Sequence, residues 1–167
     1  MSVLRRMNNT EYAAWHADAV LAYAADKVAS GQWSEVESVE LSRKEHETLL
    51  PEGLESKGNH LFSVLAPSGE PVGTLWFAES AKFGLPIAYV FNIVVAPEHR
   101  RKGHANRAFQ ALEHEVKAMG LHGVALHVFG SNHAARELYA KLGYEPTNIN
   151  LFKHVPTGAL YLPNEGP

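Results

Sequence analysis

The sequence predicts an α/β domain built around a mixed sheet. Its 167 residues are enough for one ordinary domain. With 46% apolar and 20% charged residues, the chain can bury a substantial core. Strand-like and helix-like patterns follow in the order β-α-α-β-β-β-α-β-α-β(β), which indicates an antiparallel first half and at least one crossover in the second half. We therefore expect a central, mixed, mostly antiparallel sheet of six to seven strands, with about four helices on its two faces.

The N-terminal part of the chain predicts one short strand and two helices. Capping residues mark where each helix begins, and the second start is a capping box, with Ser34 at the cap and Glu37 three residues later. The second helix is rich in charge and should lie at the surface. These elements are expected at Ser2–Met7, from Asn9 or Thr10 to about Ser30, and from Ser34 to about Leu50.

Three strands are predicted next. Two of them flank the turn Pro67-Ser68-Gly69-Glu70, which is a typical hairpin signal. The third follows a loop, Glu79–Pro86, and is apolar over most of its length, which favours burial on both faces in the middle of a sheet. The expected strands are His60–Ala66, Pro71–Ala78 and Ile87–Val95.

Two amphipathic helices and further strands complete the predicted domain. The first helix carries apolar residues at helical spacing from Ala105 to Met119 and ends at Gly120. The second is capped by Asn132 and ends at Gly143. Strands are expected at Val124–Phe129, at Tyr144 and at Asn148–His154. We expect a single domain over residues 1–155 and a C-terminal extension over residues 156–167.

Composition excludes several classes of function. The chain has no cysteine, which rules out disulfides, thiolate metal sites and a cysteine nucleophile. A net charge of −3 argues against a general nucleic-acid binder. No apolar run approaches about 18 residues, and the N-terminus does not resemble a secretory signal, so we expect a cytoplasmic protein. The ten histidines are scattered rather than spaced as metal ligands, so no metal is expected.

A basic loop lies between the third of these strands and the following helix. Arg100, Arg101 and Lys102 precede Gly103, which lets the backbone turn, and Ala105 leaves the start of the helix open. The first N–H groups of a helix have no partner within the helix, and its dipole favours an anion there. The pattern is neither a Walker A loop nor a Rossmann fingerprint. It favours a phosphate site, the alternative being a solvated basic surface.

Two motifs resemble those of the GCN5-related N-acetyltransferases. Arg100-x-x-Gly103-x-Ala105, after a strand that ends in Val94-Val95, is similar to the acetyl-CoA signature of that family. The segment NHAARELYAKLGY, from Asn132 to Tyr144, resembles its Asn-x-x-Ala-x-x-Leu-Tyr-x-x-x-Gly-Phe/Tyr element. Shorter stretches, such as Thr74-Leu75-Trp76-Phe77, are similar to a branch of largely uncharacterised bacterial members.

The resemblance implies a GNAT-like fold and acetyl-CoA as a co-substrate. Loop residues would bind the pyrophosphate of CoA, and two strand residues would pair with its pantetheine arm. Asn132 either hydrogen-bonds this arm or only caps its helix. Tyr139 matches the family's proton donor to the leaving thiolate, the alternative being an apolar position of its helix. The implied loop residues are Arg100, Arg101, Lys102, Gly103, His104 and Ala105, and the strand residues are Val94 and Val95.

One position departs from the family pattern. Many relatives use a carboxylate on the strand before the loop to accept a proton from the amine, and Asn92 stands in this region. Because an amide is not a base, the base stays open among Glu79, Glu98, His127 and water. We expect direct acetyl transfer to an amine in a ternary complex. The alternative is a non-catalytic module that binds acyl-CoA with the same fold.

The acceptor is expected to be a small amine, a protein N-terminus or a lysine. Its site should lie between the first two helices and the strand ends. Six aromatic residues are expected as walls of this site: Tyr12, Trp15, Trp33, Trp76, Tyr89 and Phe91. Relatives are often dimers, so a homodimer is one expected arrangement. Neither a nucleic acid nor a membrane is expected as a partner.

Overall fold

The computed structural model describes residues 3–155. This part of the chain contains five strands and four α-helices. The strands are β1 (Leu4–Arg6), β2 (Asn59–Leu65), β3 (Pro71–Lys82), β4 (Leu85–Val95) and β5 (Val124–Leu126). The helices are α1 (Asn9–Ala29), α2 (Glu35–Leu49), α3 (His104–Ala118) and α4 (His133–Lys141), and short 3-10 turns lie at Gly53–Glu55 and Pro97–His99.

The five strands form one mixed sheet in the order β1-β2-β3-β4-β5. Neighbouring strands are antiparallel from β1 to β4, and β5 is parallel to β4. Helix α3 lies in the connection from β4 to β5, as a parallel pair requires. For this part of the chain, the predicted mixed sheet and four helices are confirmed.

The prediction of six to seven strands is wrong for the described residues, which contain five. The strands expected at Tyr144 and Asn148–His154 do not form, and the apolar residues of this segment are exposed: Ile149 by 75%, Leu151 by 92% and Phe152 by 90%. A strand with neither a paired edge nor a buried face gains nothing to offset its lost conformational entropy. The expected extension at 156–167 lies outside the described residues, and the single domain over 1–155 stays a prediction.

Strands β3 and β4 are longer than predicted, and a two-residue turn joins them. The loop expected at Glu79–Pro86 is mostly strand, since Lys82 pairs with Leu85. Phe83 and Gly84 both have positive φ, 54° and 75°, as a type I′ hairpin turn requires. Because phenylalanine is rare at such a position, the sequence carries only half of the usual turn signal.

Different helices cover the two faces of the sheet. Leu61 of β2 pairs with Trp76 of β3, and both belong to a buried cluster with Trp15 of α1. Side chains alternate along a strand, so the fully buried Leu75 and Phe77 point to the other face. Helix α3 packs on β1, β2 and β4. Its buried residues cover this second face: Ala108, Phe109, Leu112 and Val116.

The described chain divides into two compact units between Ser131 and Asn132. The first unit contains the sheet and helices α1 to α3. The second contains α4, whose N-terminus is capped by the side chain of Asn132. Within residues 3–155, no helix combines the length and the apolar character needed to cross a membrane.

The pairing of β3 with β4 requires a glycine at Gly73. A Cβ at this position would clash with the carbonyl oxygen of Val94. We expect Gly73→Ala to lower the free energy of unfolding by about 1–3 kcal/mol, the usual cost of overpacking, in chemical denaturation. Gly123→Ala is the matched control, since its Cβ would make an ordinary contact, 3.6 Å from Cγ2 of Ile87. Equal stability of the two variants would contradict this packing argument.

Candidate active site

The basic loop between β4 and α3 has a backbone suited to binding an anion. Arg100 is extended, Arg101 has a φ of 62°, and Gly103, at the N-cap of α3, has a φ of 78°. A positive φ is uncommon for arginine and marks local strain of the kind found at binding sites. Left-handed residues in such a loop turn successive N–H groups toward one point.

Within the described residues, the N–H groups at the start of α3 have no acceptor. Arg107 N donates to Gly103 O at 3.1 Å, and no side chain caps the helix. From Arg101 to Asn106, no backbone N–H is paired with an acceptor within the described chain. Free N–H groups at a helix N-terminus attract an anion because the helix dipole adds to their partial charge.

Two of the predicted cations bind carbonyl groups of the loop itself. Arg100 Nε donates to Val95 O at 3.0 Å, and Lys102 Nζ donates to Glu98 O at 2.9 Å. Arg100, Lys102 and the intervening Arg101 are all exposed. Arg100 and Lys102 therefore hold the loop in shape, and all three side chains bring positive charge to the region of the helix start. Contact of these side chains with a pyrophosphate stays a prediction.

A fourth cation, Arg107, was not predicted from the sequence. Its Nη2 lies 2.9 Å from Nδ1 of His104, a residue only 6% exposed. Since arginine only donates hydrogen bonds, Nδ1 is the acceptor. Burial lowers the pKa of His104, and the Arg107 charge lowers it further, which favours the neutral ring. A Cβ on Gly103 would lie 3.3 Å from Arg107 Nη1, so the guanidinium stands beside the free helix start.

A signal for Arg107 exists in the sequence. The first turn of a helix carries positive partial charge, so a cation there is unfavourable unless an anion compensates it. Helix α3 has no acidic residue in its first turn, and Arg107 follows Gly103 by four residues, about one helical turn. A basic first helical turn after a basic loop is therefore typical of an anion-binding site, where a negatively charged ligand balances the positive charge.

Past its middle, β4 loses the neighbouring strand on one edge. β5 pairs only with Ala88–Val90 and ends at Leu126, not at Phe129 as predicted. β3 continues to pair with the opposite edge as far as Val95. In the described chain, the outer edge of residues 91–95 therefore faces a gap in the sheet. An extended ligand can add to such an edge as a strand does, and this edge includes the predicted Val94.

A β-bulge lies at the start of this gap. Trp76 pairs with Asn92 and Phe77 pairs with Val90, so Phe91 is the extra residue. Asn92 Oδ1 is buried and has no hydrogen-bond donor among residues 3–155. Because buried polar groups are normally paired, this oxygen is a candidate contact for a ligand.

The three predicted base candidates are not brought together. Glu79 hydrogen-bonds Nε2 of His60 at 3.0 Å, on the sheet face opposite to Trp76. Glu98 lies exposed in the turn before the basic loop, and His127 lies exposed after β5. No group of three or more His, Asp or Glu side chains within 3–155 is placed to hold a metal ion. The base therefore stays open.

Aromatic rings from α1, β3 and β4 form a continuous row on one sheet face. Five of the six predicted wall residues lie in this row, which we call the ring row. Neighbouring ring centroids are 5.8 Å apart for Tyr12 and Trp15, 5.5 Å for Trp15 and Trp76, 4.6 Å for Trp76 and Phe91, and 5.0 Å for Phe91 and Tyr89.

Trp33, the sixth predicted wall residue, packs against Tyr23 of α1 with ring centroids 5.5 Å apart. Lys27 Nζ lies over both rings, 5.3 Å from the Tyr23 centroid and 5.4 Å from that of Trp33. Burial raises the pKa of Tyr23, and the Glu45 carboxylate raises it further. Lys27 thus already covers these rings. Trp33 also lines an open pocket of about 370 Å³ with Leu41, Lys44, Glu45, Thr48 and Leu49.

His46 is a buried residue of this region that the sequence did not predict. It is 5% exposed, and its ring lies 5.9 Å from Trp76 and 6.3 Å from Trp15. Its Nδ1 lies 2.9 Å from Ser42 O, so Nδ1 carries the proton of that hydrogen bond. The signal was the spacing of Ser38, Ser42 and His46, which form one buried stripe of α2 at intervals of four residues.

In the second unit, α4 carries Asn132 and Tyr139. Asn132 Oδ1 accepts a hydrogen bond from Ala135 N at 3.2 Å, so the residue does cap its helix. Tyr139 is half-buried, with its ring 5.7 Å from that of Tyr144. Burial raises the pKa of Tyr139, so the phenol stays protonated at neutral pH and can donate. Contacts of either residue with CoA stay predictions.

Comparison with known proteins identifies relatives of the chain. Residues 13–144 match the acetyltransferase (GNAT) family. Two uncharacterized N-acetyltransferases of Bacillus subtilis are similar to it. YdgE is 31% identical over 152 residues, which cover 91% of this chain and 97% of YdgE. YycN is 30% identical over 151 residues, which cover 90% of this chain and 97% of YycN. The crystal structure of YycN matches with a TM-score of 0.84 and 30% identity, covering 92% of this chain and 98% of that one.

The matched range includes both motifs that pointed to this family, the basic loop and the α4 segment. The two Bacillus proteins are similar along nearly their whole length, so the likeness extends to the N-terminal helices as well. The chain therefore belongs to the GNAT family and is an N-acetyltransferase.

Proposed function

We propose that the protein transfers the acetyl group of acetyl-CoA directly to an amine within a ternary complex. The observation that carries this proposal is the run of N–H groups from Arg101 to Asn106 that have no acceptor among residues 3–155, beside the guanidinium of Arg107. A pyrophosphate offers several acceptor oxygens and negative charge at once. Several N–H donors with a cation nearby can hold such a group without a metal.

The CoA pyrophosphate would lie on this helix start. Backbone N–H groups would supply most of the hydrogen bonds, since Gly103 leaves no side chain between them and the ligand. Arg107 would add a charge-assisted contact, because His104 already holds its guanidinium in place. Arg101 and Lys102 would contribute through their charge.

The pantetheine arm would occupy the gap beside β4. Its amide groups can pair with the free backbone edge at Val94 and Val95, in the manner of an added strand. With the arm running along β4 away from the loop, the thioester at its end would lie near the bulge at Phe91 and Asn92. The acceptor would then approach from the face that carries the ring row.

Direct attack is the mechanism that suits the residues of this chain. With no cysteine present, no thioester can form on the protein. The nitrogen of the neutral amine attacks the carbonyl carbon, the N–C bond forms, and the C–S bond breaks. Water or a base still to be assigned takes one proton from the nitrogen. Tyr139 donates one proton to the departing sulfur and regains one from solvent, which leaves an N-acetyl amine and the CoA thiol.

Gly103→Glu should abolish acetyl-CoA binding. A side chain here would fill the helix start, and its carboxylate would repel the pyrophosphate and attract Arg107. We expect affinity by titration calorimetry to fall about a hundredfold or more, a loss of ~2.7 kcal/mol. Gly120→Glu is the control, since Gly120 ends the same helix with a similar φ of 71° and open space around it. Ordinary affinity in Gly103→Glu would show that the pyrophosphate lies elsewhere.

Arg107→Ala should weaken acetyl-CoA binding by about tenfold to a hundredfold, because a hydrogen bond to a charged group contributes roughly 1.5–3 kcal/mol. Affinity measured between low and moderate salt should also depend less on salt than in the wild type, since one ionic contact is gone. Lys117→Ala, which removes a cation from the last turn of the same helix, should change neither quantity. A full salt dependence in Arg107→Ala would remove this residue from the site.

Tyr139→Phe should lower kcat about a hundredfold or more, the usual size of general-acid catalysis, and leave the affinity for acetyl-CoA unchanged. The reason is that the ring remains while the proton donor is lost. Tyr144→Phe removes the neighbouring phenol and controls for changes in stability. An unchanged kcat in Tyr139→Phe would mean that the sulfur is protonated by another group.

A further inference from the structure

The face of the sheet beside the gap is uncharged. Lys82 shares the face that carries the ring row only at the far end of the pairing, beside the β3–β4 turn. Nearer the gap, register and alternation place six residues of β3 and β4 on this face. They are Thr74, Trp76, Ala78, Tyr89, Asn92 and Val94. None of these six bears a charge, so an acceptor lying against them meets aromatic and aliphatic surface, one amide and the hydroxyl groups of Thr74 and Tyr89.

Phe91 forms a supported aromatic surface at this point. Its ring lies nearly parallel to that of Trp76, at 4.6 Å and 22°. Trp76 is 3% exposed and is fixed by its Nε1–H, which donates to Asn59 Oδ1 at 2.9 Å. Phe91 itself is 41% exposed. A single exposed aromatic residue is common, but this one is backed by a fixed ring and lies where the free edge of β4 begins.

Asn92 places a hydrogen-bond acceptor next to this ring. Both residues stand opposite Trp76, because the bulge sets two residues of β4 against one of β3. Asn92 Oδ1 is buried and lacks a donor among residues 3–155. An unpaired buried oxygen is unfavourable, and the N–H of an amine would satisfy it once the Asn92 side chain turns this oxygen toward the ligand, since the atom has no accessible surface in the structure. Phe91 and Asn92 are consecutive residues, with Cα atoms about 3.8 Å apart, so the aromatic surface and the acceptor lie close together.

We infer that the acceptor is a primary amine joined by a short carbon linker to a flat, uncharged aromatic group. The aromatic group stacks on Phe91, and the amine nitrogen donates to Asn92 Oδ1, which holds it for attack on the thioester. Asn92 is thus a binding group for the nucleophile rather than its base. This inference rests on the proposed function, because it places the thioester beside the bulge.

Other acceptor classes fit this surface less well. A polyamine would bring further positive charges against uncharged side chains, and desolvating those charges without partners is costly. A peptide N-terminus would bring several polar backbone groups to a surface whose polar side chains are one amide and two hydroxyl groups. An arylalkyl amine needs one hydrogen bond and one ring contact, and the bulge supplies both.

The experiment measures release of CoA thiol from acetyl-CoA with four amines. They are 2-phenylethylamine, n-hexylamine, spermidine and a tripeptide with a free N-terminus, each compared at equal concentration of the neutral amine. We expect kcat/KM for 2-phenylethylamine to exceed that for each of the others by about tenfold or more, through a lower KM, since ring stacking adds to burial.

Two pairs of variants separate recognition from stability. Phe91→Ala should bring the ratio between 2-phenylethylamine and n-hexylamine close to one, while Phe83→Ala, an exposed ring on the β3–β4 turn, should leave it unchanged. Asn92→Leu should raise KM for every amine and leave acetyl-CoA affinity unchanged. Asn92→Gln, which keeps an amide oxygen, should recover part of the loss.

The outcomes distinguish this inference from the proposed function. Ordinary acetyl-CoA affinity with spermidine or the tripeptide as the best acceptor would overturn the inference alone. The inference would also be overturned if Phe91→Ala left the ratio of kcat/KM between 2-phenylethylamine and n-hexylamine unchanged. If the wild-type protein did not bind acetyl-CoA at all, the proposed function would be contradicted instead. If acetyl-CoA binds and none of the four amines is acetylated, the inference is wrong as well.

Discussion

The long antiparallel pairing of β3 with β4 is the constraint on which the candidate site depends. The pairing runs from Gly73 and Val95 to Lys82 and Leu85, and it holds β4 in place where β5 no longer supports it. Its bulge turns Phe91 toward the ring row and sets Asn92 beside it. The free edge proposed for the pantetheine arm and the surface proposed for the acceptor are thus two sides of one stretch of strand.

The same strand leads into the start of α3, where backbone N–H groups lack hydrogen-bond acceptors within residues 3–155. The N–H groups that open α3 have no acceptors in the described chain, and basic side chains surround them against the sense of the helix dipole. Asn92 Oδ1 lacks a donor at the other end. Each feature is unfavourable by itself. Acetyl-CoA would satisfy the N–H groups of α3, and the amine substrate would satisfy Asn92 Oδ1. Binding energy is then available at the two points where the reaction needs the substrates held.

Local signals explain which parts of the fold the sequence predicted well. Apolar residues at helical spacing identified α3, and Gly103 identified its start, because both depend on neighbours in the sequence. The segment from Asn148 to His154 also has a strand-like pattern, yet it forms no strand in the described chain. A strand needs a partner that lies far away in the sequence. The turn at Phe83 was missed because a bulky residue there is held by the long pairing on either side.

The sequence by itself determined the mixed α/β class, the strand–loop–helix that would hold a phosphate, and the supply of aromatic residues for a wall. Only the tertiary structure decided which rings form a row, where β4 loses its neighbour, and that Arg107 stands beside Gly103. It also decided that Asn92 lies opposite Trp76 with its Oδ1 buried. The physical reason is that register and burial arise between residues distant in sequence, and local periodicity carries no information about either.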